Sequence, residues 1–143
     1  MIDAQTLLDE ISALTRKMRT IFDARVRKLD LSLARARILL NLRTSGSGET
    51  QKALAEALEI EGPTLVRVLD SLEQMDAIKR IAVQGDRRAK RIVLTSQGEI
   101  KASAIGDMLL AFRAEVLDGI EEADIEIARR VVRRMQANLE HKA

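Results

Sequence analysis

Cysteine is absent from this chain. That excludes disulfides, a thiol nucleophile, a thiol redox sensor and cysteine-ligated zinc. Histidine occurs once, at His141, so one chain cannot assemble a histidine-based triad or a multi-histidine metal site. Tryptophan and tyrosine are missing, and the only aromatics are Phe22 and Phe112. Stacking platforms of the kind that hold single-stranded nucleic acid are therefore excluded. With one Pro and seven Gly, the chain has too few turn formers for a sandwich or barrel, and the expectation is mostly helix. No apolar run approaches the ~20 residues of a membrane span. The acids Asp3, Asp9 and Glu10 near the start depart from the basic-then-apolar order of a signal peptide. The expected location is cytoplasmic, with no membrane partner.

What is present is a soluble globular composition. The chain has 143 residues, 46% hydrophobic and 32% charged, which suits one domain with a core of its own. Net charge is only +2, from 24 basic and 22 acidic residues. The distribution says more. Six bases (Lys79, Arg80, Arg87, Arg88, Lys90 and Arg91) stand against the single acid Asp86 between residues 79 and 91. A local basic patch on a nearly neutral chain is an electrostatic footprint.

Periodicity divides the chain. Steps of three and four through Leu7, Ile11, Leu14, Met18 and Ile21 predict a long helix over 4–29. Ser32 is placed to cap a second helix over about 33–43. The stretch TSGSG (44–48) predicts a loop. Thr50 is placed to cap a third helix, 51–58, and Pro63 to open a fourth that runs to about Met75. The period then changes. IKRIAV (78–83) and KRIVL (90–94) predict two strands, with QGDRRA (84–89) as the turn of a single hairpin. Helix resumes from Thr95 or Ser96 to about Leu117, breaks at Asp118-Gly119, and returns over about 124–140.

The fold expected is mainly α, a winged helix-turn-helix in the order α-α-α-α-β-hairpin-α-α. Its terminal helices carry apolar stripes too long for the small central lobe to bury. They are expected to pack on a second copy, as a homodimer. The helical dimerisation lobe is then 1–32 and 96–143, and the helix-turn-helix and hairpin lobe 33–95, within one domain of residues 1–143.

A helix-turn-helix works by laying one helix in the major groove, braced by the helix before it. The candidate reader is 63–75, with Thr64, Val66, Arg67 and also Asp70 on its exposed early positions. A threonine methyl can meet a thymine methyl, and an arginine can pair bidentately with guanine. The bland alternative for Arg67 and Asp70 is a solvated helix face. The hairpin supplies Arg87, Arg88, Lys90 and Arg91, set to straddle a backbone or enter a minor groove. Asp86 is placed to orient Arg88 by a charge-assisted hydrogen bond. The alternative here is a solvated charged turn.

Residues 54–99, LAEALEIEGPTLVRVLDSLEQMDAIKRIAVQGDRRAKRIVLTSQGE, resemble the winged helix-turn-helix of the MarR family. GPTLVRVLDSLE (62–73) and DRRAKRIVLT (86–95) are most similar to its SlyA branch. A weaker resemblance extends through both flanking helical segments. It implies a homodimeric, sequence-specific regulator of transcription, such as a repressor, on a pseudo-palindromic double-stranded operator. Residues 63–75 would be its recognition helix. Arg88 would sit at the wing tip in the minor groove, with Asp86 steadying it. One departure is Asp76, where the family usually has Gly in a left-handed turn; a small stability cost is expected.

The resemblance also implies a pocket for a small anionic, phenolic or aromatic carboxylate effector. Arg16 and Arg19 are its candidate receptors, with Arg37 as a third. The alternative is that these arginines pair with neighbouring acids or lie over the core. The missing cysteine removes the peroxide-sensing chemistry of some such proteins, and the lone histidine their zinc-sensing chemistry. Arg129, Arg130, Arg133 and Arg134 near the end read as a solvated or ion-paired face. No nucleophile motif, phosphate loop or metal spacing is present, so neither an enzyme nor a cofactor is expected. The competing class is a helical protein-interaction module without specific DNA binding.

Overall fold

The computed structural model describes residues 4–45 and 48–142, and the side chains of 4, 5, 87 and 88 fall outside that description. Among the described residues six helices and three strands follow in the order α1 (Ala4–Arg27), α2 (Leu33–Ser45), β1 (Glu49–Thr50), α3 (Gln51–Leu58), α4 (Gly62–Gln74), β2 (Ile78–Val83), β3 (Asp86–Leu94), α5 (Ser96–Val116) and α6 (Glu122–Leu139). The strands form one antiparallel sheet, ordered β1-β3-β2.

Short polar side chains start α2, α3 and α5 where the sequence places them. Ser32 Oγ accepts from the Arg35 amide, Thr50 Oγ1 from Ala53, and Thr95 Oγ1 from Gly98, at 3.3, 3.1 and 3.0 Å. Each satisfies one amide that the first helical turn leaves without a partner. Asp23 adds a cap from a distance. Its Oδ1 accepts from the Leu33 amide at 3.1 Å, which fixes the corner between α1 and α2.

Three helices end in the same way. After α1, Leu31 N donates to Val26 O and Asp30 N to Arg27 O. After α3, Ile60 N donates to Ala55 O and Glu59 N to Glu56 O. After α4, Ala77 N donates to Leu72 O and Asp76 N to Glu73 O. This paired pattern requires a left-handed residue, and glycine is its usual occupant. Here Asp30, Glu59 and Asp76 occupy it, with φ of 59, 52 and 58°. The residue that follows tucks inward: Leu31 and Ala77 are buried and Ile60 is half-buried. Asp76 thus takes the left-handed conformation, and two further acids share it.

The chain divides into two compact units, residues up to Leu110 and residues Ala111–Ala143. The first has a core. Val26, Ile38, Leu39, Leu54, Leu65, Leu69, Leu72, Ile78, Ile92 and Ile105 are essentially without solvent exposure. Burying a side chain of this size contributes roughly 1.5–3 kcal/mol. Gly98 lets α5 approach the sheet, because a Cβ there would run into the Ala77 carbonyl oxygen. In the second unit, α6 buries none of its residues.

Three local readings need correction. The expected TSGSG loop begins later, since α2 runs through Thr44 and Ser45. Their hydroxyls donate to the carbonyls of Leu40 and Leu42 and so satisfy the end of the helix. Residues 46 and 47 lie outside the described set. The hairpin is also not alone in its sheet, because Glu49 and Thr50 pair with Ile92 and Arg91. Two residues are too few to show a period of two in the sequence. Finally, β3 begins at Asp86 rather than Lys90, and the turn contracts to Gln84-Gly85, with Gly85 at φ 89°.

Candidate nucleic-acid interface

The helix-turn-helix is made by α3 and α4. Their connection is short because Glu59 turns the chain in the left-handed region and Pro63 enters the first turn of α4. Arg37, on α2, braces the turn: its Nη2 donates to the Leu58 carbonyl at 3.1 Å. That carbonyl is one of those a helix end leaves without a partner. Arg37, expected as an effector ligand, thus has a structural partner.

Leu65, Leu69 and Leu72 anchor one side of α4 in the core. The spacing leaves Thr64, Val66 and Arg67 exposed on its N-terminal half, as the sequence predicts. Asp70 is exposed on the same side, but its carboxylate is engaged. Arg80 on β2 donates from Nη2 to Asp70 Oδ1 at 2.8 Å, and from Nη1 to Glu73 Oε2 at 3.1 Å. Asp70 therefore joins a tie between helix and sheet. Arg80 is the residue that sequence reading missed in this role. Its signal was no more than its membership of the basic patch, since no local period links positions 70, 73 and 80.

The wing is β2 and β3. Pairing runs from Ile78 opposite Leu94 to Ala82 opposite Lys90, then jumps to Val83 opposite Asp86. Residues 87–89 are therefore extra residues on β3, a bulge next to the tight turn. Such a bulge bends a strand and increases its twist. Arg87 and Arg88 fall in this bulge, and their side chains lie outside the described residues. Lys90 is exposed and Arg91 half-buried.

Between the two halves lies an open groove of about 490 Å³, lined by Thr50, Gln51, Lys52, Ala55, Gly62, Leu65, Ala89 and Lys90. It brings together the N-terminal ends of α3 and α4 and the part of the wing at its bulge. Lys52 and Lys90 give it cationic sides, which is the chemistry that meets a phosphate backbone. Lys52 carried no role in the sequence reading.

The effector candidates are less assembled. Arg16 and Arg19 are exposed on α1. A separate cavity of about 320 Å³ is lined by Leu42, Arg43, Gly48, Val93, Leu94, Glu99 and Ser103, and it contains neither of them, nor Arg37. Asp23 on α1 is bound by Arg27 Nε at 2.9 Å. That hydrogen bond holds its carboxyl below the usual range; burial opposes the shift, and the Leu33 amide reinforces it. On α6, Arg129 pairs with Glu126 at 3.0 Å, in line with an ion-paired face. Among the described residues, no group of His, Asp and Glu could hold a metal ion, and no helix is long and apolar enough to cross a membrane.

The model of the MarR family matches residues 31–90, which hold the helix-turn-helix and most of the wing. The solved structure of the transcriptional regulator PA3341 is 40% identical, covers 95% of this chain and 97% of its own, and superposes with a TM-score of 0.80. S. aureus MepR, solved as a complex with DNA, is 24% identical over 98% of this chain and 100% of its own, with a TM-score of 0.81. The transcriptional regulator SlyA is 23% identical over 93% of each chain, with a TM-score of 0.80. The last two share the fold. With a relative at 40% identity over nearly its whole length, and the family's own pattern seated on α3, α4 and the wing, the chain belongs to the MarR family of transcriptional regulators.

Proposed function

We propose that this chain reads double-stranded DNA as a homodimer, with α4 in the major groove and the wing on the minor groove and backbone. One observation carries the reading. A single folded unit exposes Thr64, Val66 and Arg67 on α4 and holds the cations Lys52 and Lys90 in an open groove that α4 also lines, through Gly62 and Leu65. Thr64 and Arg67 supply hydrogen bonds to base edges, and Val66 supplies apolar contact. Asp86, Arg87, Arg88, Lys90 and Arg91 supply the charge of the wing. MepR, with the same fold, is solved on DNA, which supports the reading. The likeness of the strings at 62–73 and 86–95 to the SlyA branch supports assigning the chain to that branch. Binding an operator in this way excludes other proteins from it, which is how a repressor acts.

The homodimer rests on α6, whose Ile127, Val131 and Val132 are 43–50% exposed. Two copies reading together would address half-sites about one turn, ~10 bp, apart. Arg16 and Arg19, both exposed, are offered as receptors for a small anionic or phenolic effector.

Fluorescence anisotropy on the chain's own upstream DNA and on a scrambled duplex, across a salt series, tests the reading. A steep salt slope with preference for one site is expected. Absence of binding at low salt overturns it in favour of a protein-interaction module. Arg67→Ala is expected to cost about 1–3 kcal/mol at the preferred site and to relax base preference. Arg88→Ala is expected to weaken all sites while the dimer stays folded; unchanged affinity would remove the wing from the mechanism.

A further inference from the structure

The reading helix carries two carboxylates on its DNA side. Asp70 lies one turn beyond Val66 and Arg67, and Glu73 one turn beyond Asp70. Both remain about half exposed, at 55% and 48%. A duplex repels such groups, and each is close enough to the reading residues to feel that field. The structure answers them with one guanidinium. Arg80 is 17% exposed, and its two terminal nitrogens are divided between the two acids at 2.8 and 3.1 Å. Its backbone is fixed in β2, paired with Ile92 on the central strand. A planar fork can serve two carboxylates at once, which a single ammonium does less well.

Half-exposed ion pairs contribute little to folding stability. The fold of α4 is already secured by Leu65, Leu69 and Leu72. The consequence of the cluster therefore lies in charge rather than in stability. We infer that Arg80 acts in DNA reading through Asp70 and Glu73. It cancels part of their charge, so that α4 approaches the duplex with one net negative charge from this cluster instead of two. Arg80 touches no DNA in this role. The inference rests on the DNA-reading function proposed above.

The test is a charge series in the full-length protein, with DNA affinity measured from low to high salt and thermal unfolding followed in parallel. The cluster carries −2 in Arg80→Gln and −1 in the parent. It carries 0 in Asp70→Asn/Glu73→Gln/Arg80→Gln and +1 in Asp70→Asn/Glu73→Gln. Low-salt affinity is expected to rise in that order, roughly three- to tenfold per charge, and the steps to shrink as salt is added. Arg80→Lys, which keeps the charge, is expected to stay within about threefold of the parent. A triple variant as weak as Arg80→Gln overturns the inference, because Arg80 would then be a phosphate contact itself. Affinities that follow melting temperature and ignore charge also overturn it, leaving a structural tie only. If Arg80→Gln fails to fold, Asp70→Asn/Glu73→Gln decides: tighter low-salt binding supports the inference, and unchanged or weaker binding refutes it. A parent that binds no DNA at low salt defeats the DNA-reading function instead, which separates the two failures.

Discussion

Helices α4 and α6 have similar apolar spacing and opposite fates. On α4, Leu65, Leu69 and Leu72 are completely buried. On α6, Ile127, Val131 and Val132 are 50, 43 and 44% exposed, and Leu139 is 71% exposed. The surroundings differ rather than the helices. The unit that ends at Leu110 contains α2, α3 and the sheet, which close over one face of α4. The unit from Ala111 to Ala143 holds little besides α6 and the end of α5. An open surface of about 600 Å³, lined by Leu117, Ile120, Ile125, Ala128 and Val132 among others, runs along α6. The lesson is that amphipathicity states a demand for cover, and the neighbours decide whether the same chain meets it. Apolar patches of this kind mark interaction surfaces.

The sharpest way to break this contrast is to truncate one residue of each stripe. Leu69→Ala in α4 is expected to cost about 2–5 kcal/mol in denaturant unfolding, because it leaves a cavity in a closed core. A cost below ~1 kcal/mol would mean that α4 is not the anchor described. On α6 the expected change is in mass. Ile127→Ser/Val131→Ser is expected to weaken self-association by at least about tenfold, since each buried side chain contributes roughly 1.5–3 kcal/mol. Sedimentation across a concentration series reads this directly, and an unaltered mass would leave the α6 stripe uncovered in solution.

A second contrast lies inside the first unit, between close backbone approach and local turn strain. Gly98→Ala drives a methyl into the Ala77 carbonyl. It is expected to destabilise by about 1–3 kcal/mol, the range for overpacking, seen as a lower melting temperature. Glu59→Gly acts in the opposite direction. It relieves a left-handed residue at φ 52° and is expected to raise stability by about 0.5–1 kcal/mol, net of the entropy that glycine adds to the unfolded chain. A destabilised Glu59→Gly would show that the glutamate side chain contributes to the turn.

The smallest effect concerns acid. The Asp23 carboxyl is held below its usual range, first by the Arg27 hydrogen bond and also by the Leu33 amide. A carboxylate with a lowered folded-state pKa contributes stability above its unfolded value, near ~3.9. That contribution is lost as pH falls through the lowered folded value. Melting of the parent and of Asp23→Asn is thus expected to differ at neutral pH and to converge only as pH falls through that lowered folded value. A difference that persists in acid would assign the role of Asp23 to shape rather than charge.

Much of the molecule was legible because its signals are local. A hydroxyl before a helix, a proline in a first turn, and leucines three and four apart act over one or two turns. The helix expected at about 51–58 was placed by Thr50 and by its apolar spacing, and α3 spans Gln51–Leu58. Thr64, Val66 and Arg67 were legible as exposed for the same reason: once Leu65 and Leu69 face the core, the geometry of 3.6 residues per turn leaves them outside. The strand β1 was not legible, because two residues have no period. Nor was the early start of β3. Gly85 and Asp86 are turn formers, and they suggested a longer loop than the ladder from Ile78 to Val83 permits.

By itself, then, the sequence determined the helices and their caps, the hairpin, the buried side of α4 and the basic character of the wing. Each depends on side chains close together along the chain. Only the tertiary structure decided that Arg80 answers Asp70 and Glu73, that Arg37 closes the end of α3, and that α4 is covered while α6 is bare. Those outcomes join positions up to 21 residues apart. The distances between such positions are fixed by how the elements pack, and no local pattern encodes them.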